Sequence, residues 1–263
     1  MFFVEHLYEL RTRLLRIVVI TVSTIIFCTI FGIQLITIDH FSFYFFFPSV
    51  YESISGQVTL FLSKSLLPPG VQLIQTAPGQ SLFAQVYVSV LIGVTVSVPV
   101  IVREIFGFIN PAISLDSRNI ALSRFVIPVA VLFAAGILFS FFFAIPLILT
   151  FLYQYGQYLG ILSFLNINEF VSFVLQFFIA FGVCFQLPLV MMALSMTELI
   201  ERRFWIVNLR YAILLMVIFG AIITPDGSGI TMWFISIPMI GLYFLGILLI
   251  SVMGRGKNKQ KVL

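Results

Sequence analysis

The sequence predicts an all-α membrane protein with six transmembrane helices, on the strength of three observations. Six long apolar segments recur along the 263 residues, and none contains Asp, Glu, Lys, Arg or His. Hydrophobic residues make up 61% of the chain and charged ones only 9%, with a mean hydropathy of +1.16. A soluble domain is about half apolar and about a quarter charged. The charges that do occur sit in the connections, and the basic ones fall almost wholly on alternate connections.

A hydrocarbon core of about 30 Å needs roughly 20 apolar residues per helix. The segments meeting this demand are 17–38, 81–102, 125–151, 170–194 and 230–253, with a shorter one at 211–224. One side, termed cis, collects Arg11, Arg13, Arg16, Arg103, Arg118, Arg124, Arg202, Arg203, Arg210, Arg255, Lys257, Lys259 and Lys261; the trans side receives Lys64 alone. Positive residues mark the side of synthesis, so both termini are expected there, as six spans require. Residues 1–254 read as one membrane domain and 255–263 as a basic cis tail.

The chain begins with a dense cluster of charge. EHLYELRTRLLR, residues 5–16, holds Glu5, Glu9, Arg11, Arg13 and Arg16. At 100° per residue, Phe3, Leu7, Leu10, Leu14 and Ile17 share one face and Glu5, Glu9, Thr12, Arg13 and Arg16 the other. This pattern predicts an amphipathic surface helix over 3–16 leading into the first span. Its acids precede its bases, as the helix dipole favours, and Glu9 and Arg13 have the spacing of an i, i+4 pair. Two roles stay open: an anchor with self-paired charges, or a carboxylate-bearing surface for an arginine-rich ligand. The second is favoured by two carboxylates in one short helix on a side where thirteen bases face six acids, namely Glu5, Glu9, Glu104, Asp116, Glu198 and Glu201. Acids precede the first apolar run, so the N-terminus is read as neither a cleavable signal nor a mitochondrial transit peptide.

The trans connection 39–80 is long and contains FSFYFFFP at 41–48 and Pro68–Pro69. It is expected to form a structured cap, although an aromatic run at a membrane edge can also be a plain interfacial belt. The cis loop REIFGFINPAISLDSRN, residues 103–119, repeats the mixture of acid and base, and Asn110–Pro111 marks a turn or helix boundary. Pro99, Pro128, Pro146, Pro188 and Pro238 lie in or at the ends of spans, where each removes a backbone donor and favours a kink. Kinked helices can line a concave face. The fifth segment, at about 21 Å, must thin the bilayer locally unless Asn208 to Arg210 extend it. Cys28 and Cys184 lie in apolar runs without nearby histidine and read as packing residues. No cofactor, metal or nucleic-acid site is expected.

Four stretches together resemble the TatC family, the multi-spanning core of twin-arginine protein translocases. They are HLYELRTRLL at 6–15, FGFINPAI at 106–113, EFVSFVLQFFIAFGVCFQLPLVM at 169–191 and ITPDGSGITMWFISIPM at 223–239. The resemblance implies a non-enzymatic receptor that binds signal peptides of folded precursor proteins. It further implies that small single-span TatA/TatB-like subunits join it to carry that cargo across the membrane, with the proton-motive force as energy source. It also implies a cis signal-peptide surface of Glu9, Arg11, Phe108, Pro111, Asp116, Ser117 and Arg118. The family's second acid falls on Ser117, with Asp116 one residue earlier. Partner-helix contacts are implied at Gln186, Thr224 and Asp226. Gln186 stands where many relatives carry glutamate, and it can equally hydrogen-bond a neighbouring span of its own chain. Lipid contact and a homo-oligomer also fit.

An exposed ion pair contributes only about 0–1 kcal/mol, whereas micromolar binding needs about 8 kcal/mol. Acids can therefore select a signal while its apolar stretch supplies retention. A solute or ion transporter is the competing class, but no ionisable residue falls in the spans, where transporters often place one. An intramembrane enzyme lacks its usual motifs here. The 31 phenylalanines point to an AT-rich, organelle-encoded gene and hence a mitochondrial inner membrane, with plastid thylakoid and bacterial plasma membrane as alternatives.

Overall fold

The computed structural model describes residues 2–38, 41–49, 51–109, 118–160, 164–196, 200–224 and 229–260. Helix α1 runs over Phe2–Ile30, followed by strands β1 (Phe31–Ile38) and β2 (Phe41–Pro48), helix α2 (Ile54–Leu66) and strand β3 (Gln72–Ile74). Helix α3 spans Gln80–Ile109. Helix α4 (Arg118–Phe139) continues through a π-helical turn, Ser140–Ala144, into α5 (Ile145–Tyr158). Strand β4 (Phe164–Asn166) precedes α6 (Ile167–Cys184) and α7 (Leu187–Met196). The short α8 (Arg202–Val207), then α9 (Leu209–Ile223) and α10 (Ile230–Gln260), complete the order. Among the described residues five helices are long and apolar enough to cross a membrane, and α9 is a shorter sixth.

The first span departs from expectation. Residues 31–38 do not continue the helix; they form β1, antiparallel to β2 with Phe31 opposite Pro48 and Ile38 opposite Phe41. Both segments are rich in β-branched and aromatic residues, which suit strands. Gly32 lets β1 lie against the following turn, where a Cβ would run into the Glu52 carbonyl. The span accordingly shifts toward the N-terminus, to Leu7–Ile30. The expected amphipathic helix 3–16 is thus not a separate surface element but the first half of α1. The cap is structured: beyond the hairpin it contains α2, N-capped by Ser53, and β3, which pairs in parallel with β4.

The chain divides into two compact units, Met1–Val131 with Leu149–Leu175, and Leu132–Ile148 with Gln176–Leu263. In the first, α1 and α3 pack antiparallel along most of their length. Thr21 Oγ1 donates to Ser97 Oγ at 2.9 Å and Thr29 Oγ1 to Ser89 Oγ at 2.9 Å, so eight residues up α1 match eight down α3. Between these rungs Gly93 admits Ile25, whose Cγ1 would lie 2.6 Å from an added Cβ. Small and hydroxyl-bearing residues are how helices approach closely in lipid.

In the second unit Phe177, Phe181, Ile145, Met191 and Ile235 are fully buried. Gly136 sits directly on the Phe181 carbonyl, and the Phe139 ring packs against Phe143, Phe181 and Phe185. The π-turn follows from Pro146: with no amide donor at that position, the ladder slips and Ile145 N–H reaches back five residues to Ser140 O. Pro188 acts likewise on the fourth span, which breaks between α6 and α7 at Phe185–Gln186. Cys28 and Cys184 are buried free thiols.

Candidate functional site

The charged end of α1 packs its polar face onto α3. Arg13 donates through Nε and Nη2 to Glu9 Oε1, at 3.1 and 2.7 Å, and through Nη1 to Glu104 Oε2 at 2.9 Å. Arg16 Nη1 meets the other oxygen, Glu104 Oε1, at 2.8 Å. The Glu104 side chain is 4% exposed, against 17% for Arg13, 39% for Glu9 and 57% for Arg16. A buried carboxylate is costly unless paired and hydrogen-bonded, and here two guanidinium groups meet that requirement.

This arrangement follows from spacing. Arg13 and Arg16 lie three residues apart on one helical face, and Glu104 ends the antiparallel α1/α3 contact that Thr21–Ser97 and Thr29–Ser89 set in register. Glu9 sits one turn further toward the N-terminus, beyond the buried pair and half-exposed. The opposite face, Leu7, Leu10 and Leu14, is exposed. The helix is amphipathic as expected, but its polar face turns toward the protein.

Of the expected signal-peptide residues, Glu9 is thus brought into a network and Arg11 is exposed on the same helix. Phe108 and Arg118 lie near the end of α3 and at the start of α4. Pro111, Asp116 and Ser117 lie outside the described residues, as does Asp226. Gln186 is half-buried at the α6–α7 break, where its amide donates to Gly182 O at 3.2 Å. That bond runs four residues back along the same span and is not the bond to a neighbouring span that the sequence left open. Thr224 caps α9: its N–H and hydroxyl both reach Gly220 O, at 3.0 and 3.1 Å. Its extended backbone is what the following Pro225 favours.

Glu104 is absent from the expected set. It is counted among the cis acids by sequence, yet nothing local distinguishes it from Glu198 or Glu201. The available signal is the pairing of two arginines three residues apart with an acid at the cis end of the next span, where helices joined by a trans connection return to the same side.

Residues 5–238 match the family model for the Sec-independent protein translocase protein (TatC). The chain is 49% identical over 260 residues to the Sec-independent protein translocase protein TatC of Cenarchaeum symbiosum (strain A), covering 98% of this chain and 97% of that one. It is 31% identical to the TatC protein of Aquifex aeolicus (strain VF5), covering 97% of each. A solved crystal structure of a twin-arginine translocase receptor, TatC, superposes with a TM-score of 0.75 at 28% identity, covering 94% of this chain and 98% of that one. Six apolar helical segments in the expected order, four motif stretches and these matches agree: the chain belongs to the TatC family and is a non-enzymatic receptor subunit of a twin-arginine protein translocase.

Proposed function

We propose that the exposed end of the Glu9–Arg13–Glu104–Arg16 network selects the signal peptide of a folded precursor by accepting an arginine at Glu9. The supporting observation is that Arg13 is held on both sides, by Glu9 and by the buried Glu104. An incoming guanidinium competes with Arg13 for Glu9. Since Arg13 keeps Glu104 when it yields, the exchange strands no buried charge, which would cost about 3–5 kcal/mol. Glu9 is therefore a carboxylate that can change partners cheaply, while Glu104 is one that cannot.

Arg11, Phe108, Pro111, Asp116, Ser117 and Arg118 complete this surface in our proposal, with Asp116 supplying the second carboxylate and the apolar Leu7, Leu10 and Leu14 face lying beside the signal's hydrophobic stretch. Selection by acids and retention by apolar contact matches the small contribution of a surface ion pair. Gln186, Thr224 and Asp226 are proposed contacts for single-span TatA/TatB-like subunits, with the proton-motive force driving transport. The cis side is the side of synthesis. The close archaeal relative supports a prokaryotic plasma membrane more strongly than the mitochondrial inner membrane that the phenylalanine content favours.

The test is photo-crosslinking of a twin-arginine signal peptide to membranes carrying the wild type or Glu9→Gln. We expect the variant to lose most of the crosslink. Equal crosslinking at native stability would overturn the assignment of Glu9.

A further inference from the structure

The cap contains a second polar site, on the face opposite the arginine cluster. A cavity of about 500 Å³ lies between the start of α2, the first turns of α3 and the beginning of α6. Glu52, Gln57, Ser81 and Gln85 line it with polar groups, and Tyr51 and Leu60 form part of its wall. The turn bearing Glu52 is fixed: its N–H reaches Ser49 Oγ at 3.1 Å, its carbonyl lies against Gly32, and one carboxylate oxygen takes Gln34 Nε2 at 2.8 Å.

Two features distinguish this cavity from an ordinary solvated hollow. Glu52 is exposed and has no cationic partner among the described residues; one neutral amide donates to its carboxylate. Gln57 spends its amide nitrogen on Ile33 O and Glu52 O, at 2.9 and 3.3 Å, which leaves its oxygen as an acceptor. Gln85 makes no hydrogen bond to any described residue, and its Nε2 rests beside Gly56, 3.3 Å from where a Cβ would stand. The lining thus offers a carboxylate and two amide oxygens.

A primary ammonium supplies three N–H donors and one positive charge, the complement of that set. The wall also opens onto apolar surface, since Leu60 and the adjacent Phe61 are both exposed on α2. We propose that this cavity binds a primary-ammonium headgroup, that of an aminophospholipid, with the ammonium on Glu52, Gln57 and Gln85 and the acyl chains along Leu60 and Phe61. A quaternary headgroup has the same charge but no donor, so it should be rejected. Binding here would fasten the cap to the membrane surface, a role separate from signal recognition.

The full chain, purified in mild detergent, is tested by native mass spectrometry and by its thermal unfolding midpoint. Phosphatidylethanolamine, phosphatidylcholine and phosphatidylglycerol of identical acyl chains are added in separate arms. Phosphatidylethanolamine should be retained at least fivefold better than the other two and should raise the midpoint. Glu52→Gln and Gln85→Leu should each abolish that preference; Gln57→Leu serves if either fails to fold. Water-soluble ethanolamine that competes in a Glu52-dependent manner would support the ammonium site and show the acyl chains to be dispensable. Equal retention of phosphatidylethanolamine and phosphatidylcholine, or an undiminished preference in Glu52→Gln, would overturn the proposal.

Discussion

Glu104 of α3 accepts Arg13 of α1 at 2.9 Å with its own side chain only 4% exposed, so a charge pair nearly closed to water joins the first two spans. Leaving one partner of such a pair buried and wholly uncompensated costs about 3–5 kcal/mol. Glu104→Ala should lower stability by less than that, since Arg13 keeps Glu9 and Arg16 is open to water. Arg16→Ala, at the 57% exposed member, should lie within about 1 kcal/mol of wild type. Denaturant titration in detergent measures both, and a double-mutant cycle on Arg13 and Glu104 should return a coupling well above that of Arg13 and Glu9.

The same network makes a functional prediction for a residue that need not touch the ligand. Without the Glu104 carboxylate, Arg13 has Glu9 as its remaining acid in the network and holds it more firmly against an incoming arginine. Glu104→Gln should therefore weaken signal-peptide crosslinking several-fold, and Arg13→Ala in that background should restore part of it. A purely structural role for Glu104 would give a further loss in the double variant.

Packing at the glycines separates close approach from mere presence. A Cβ at Gly136 would meet the Phe181 carbonyl, which is backbone and cannot rotate aside; at Gly241 nothing lies within 4 Å. Gly136→Ala should destabilise by about 1–3 kcal/mol through overpacking. Gly241→Ala should be neutral or stabilising by up to about 1 kcal/mol, as expected for alanine in an open helical position. Unfolding midpoints of the two variants, compared side by side, decide this.

How legible these features are in the sequence depends on their range. The apolar spans, the confinement of charge and the Glu9–Arg13 pair all follow from local periodicity. The end of the first span does not: Ile17–Ile38 is mostly apolar and uncharged throughout, and hydropathy cannot tell the helix ending at Ile30 from the strand starting at Phe31. That boundary is set by pairing with residues 41–48 and by the approach of Gly32 to Glu52, both tertiary facts. Glu104 is hidden for the same reason, because its meaning lies in arginines about ninety residues away. The inward turn of the polar face of α1 is likewise fixed by its partner helix and not by its own moment.

Helix α9 has 15 residues, which at 1.5 Å each gives about 22 Å against a hydrocarbon core of about 30 Å. The extension that could have lengthened it is made only in part: Leu209 and Arg210 join the helix, but α8 ends at Val207, Asn208 forms a turn, and Thr224 closes the other end in extended geometry. Such a mismatch is relieved by local thinning or by recruiting neighbours, at a cost of fractions of a kcal/mol per Å. The exposed residues Tyr211, Leu214, Leu215, Ile218 and Ile222 give α9 a broad outward apolar surface. If the shortness serves transport, four apolar residues inserted after Ile218 should add about 6 Å and relieve the mismatch. Transport of a folded reporter should then fall, while insertion and signal crosslinking at Glu9 are retained. Undiminished transport by a correctly inserted variant would mean that the length of α9 is incidental. Loss of crosslinking as well would place the defect in folding and leave no evidence for thinning.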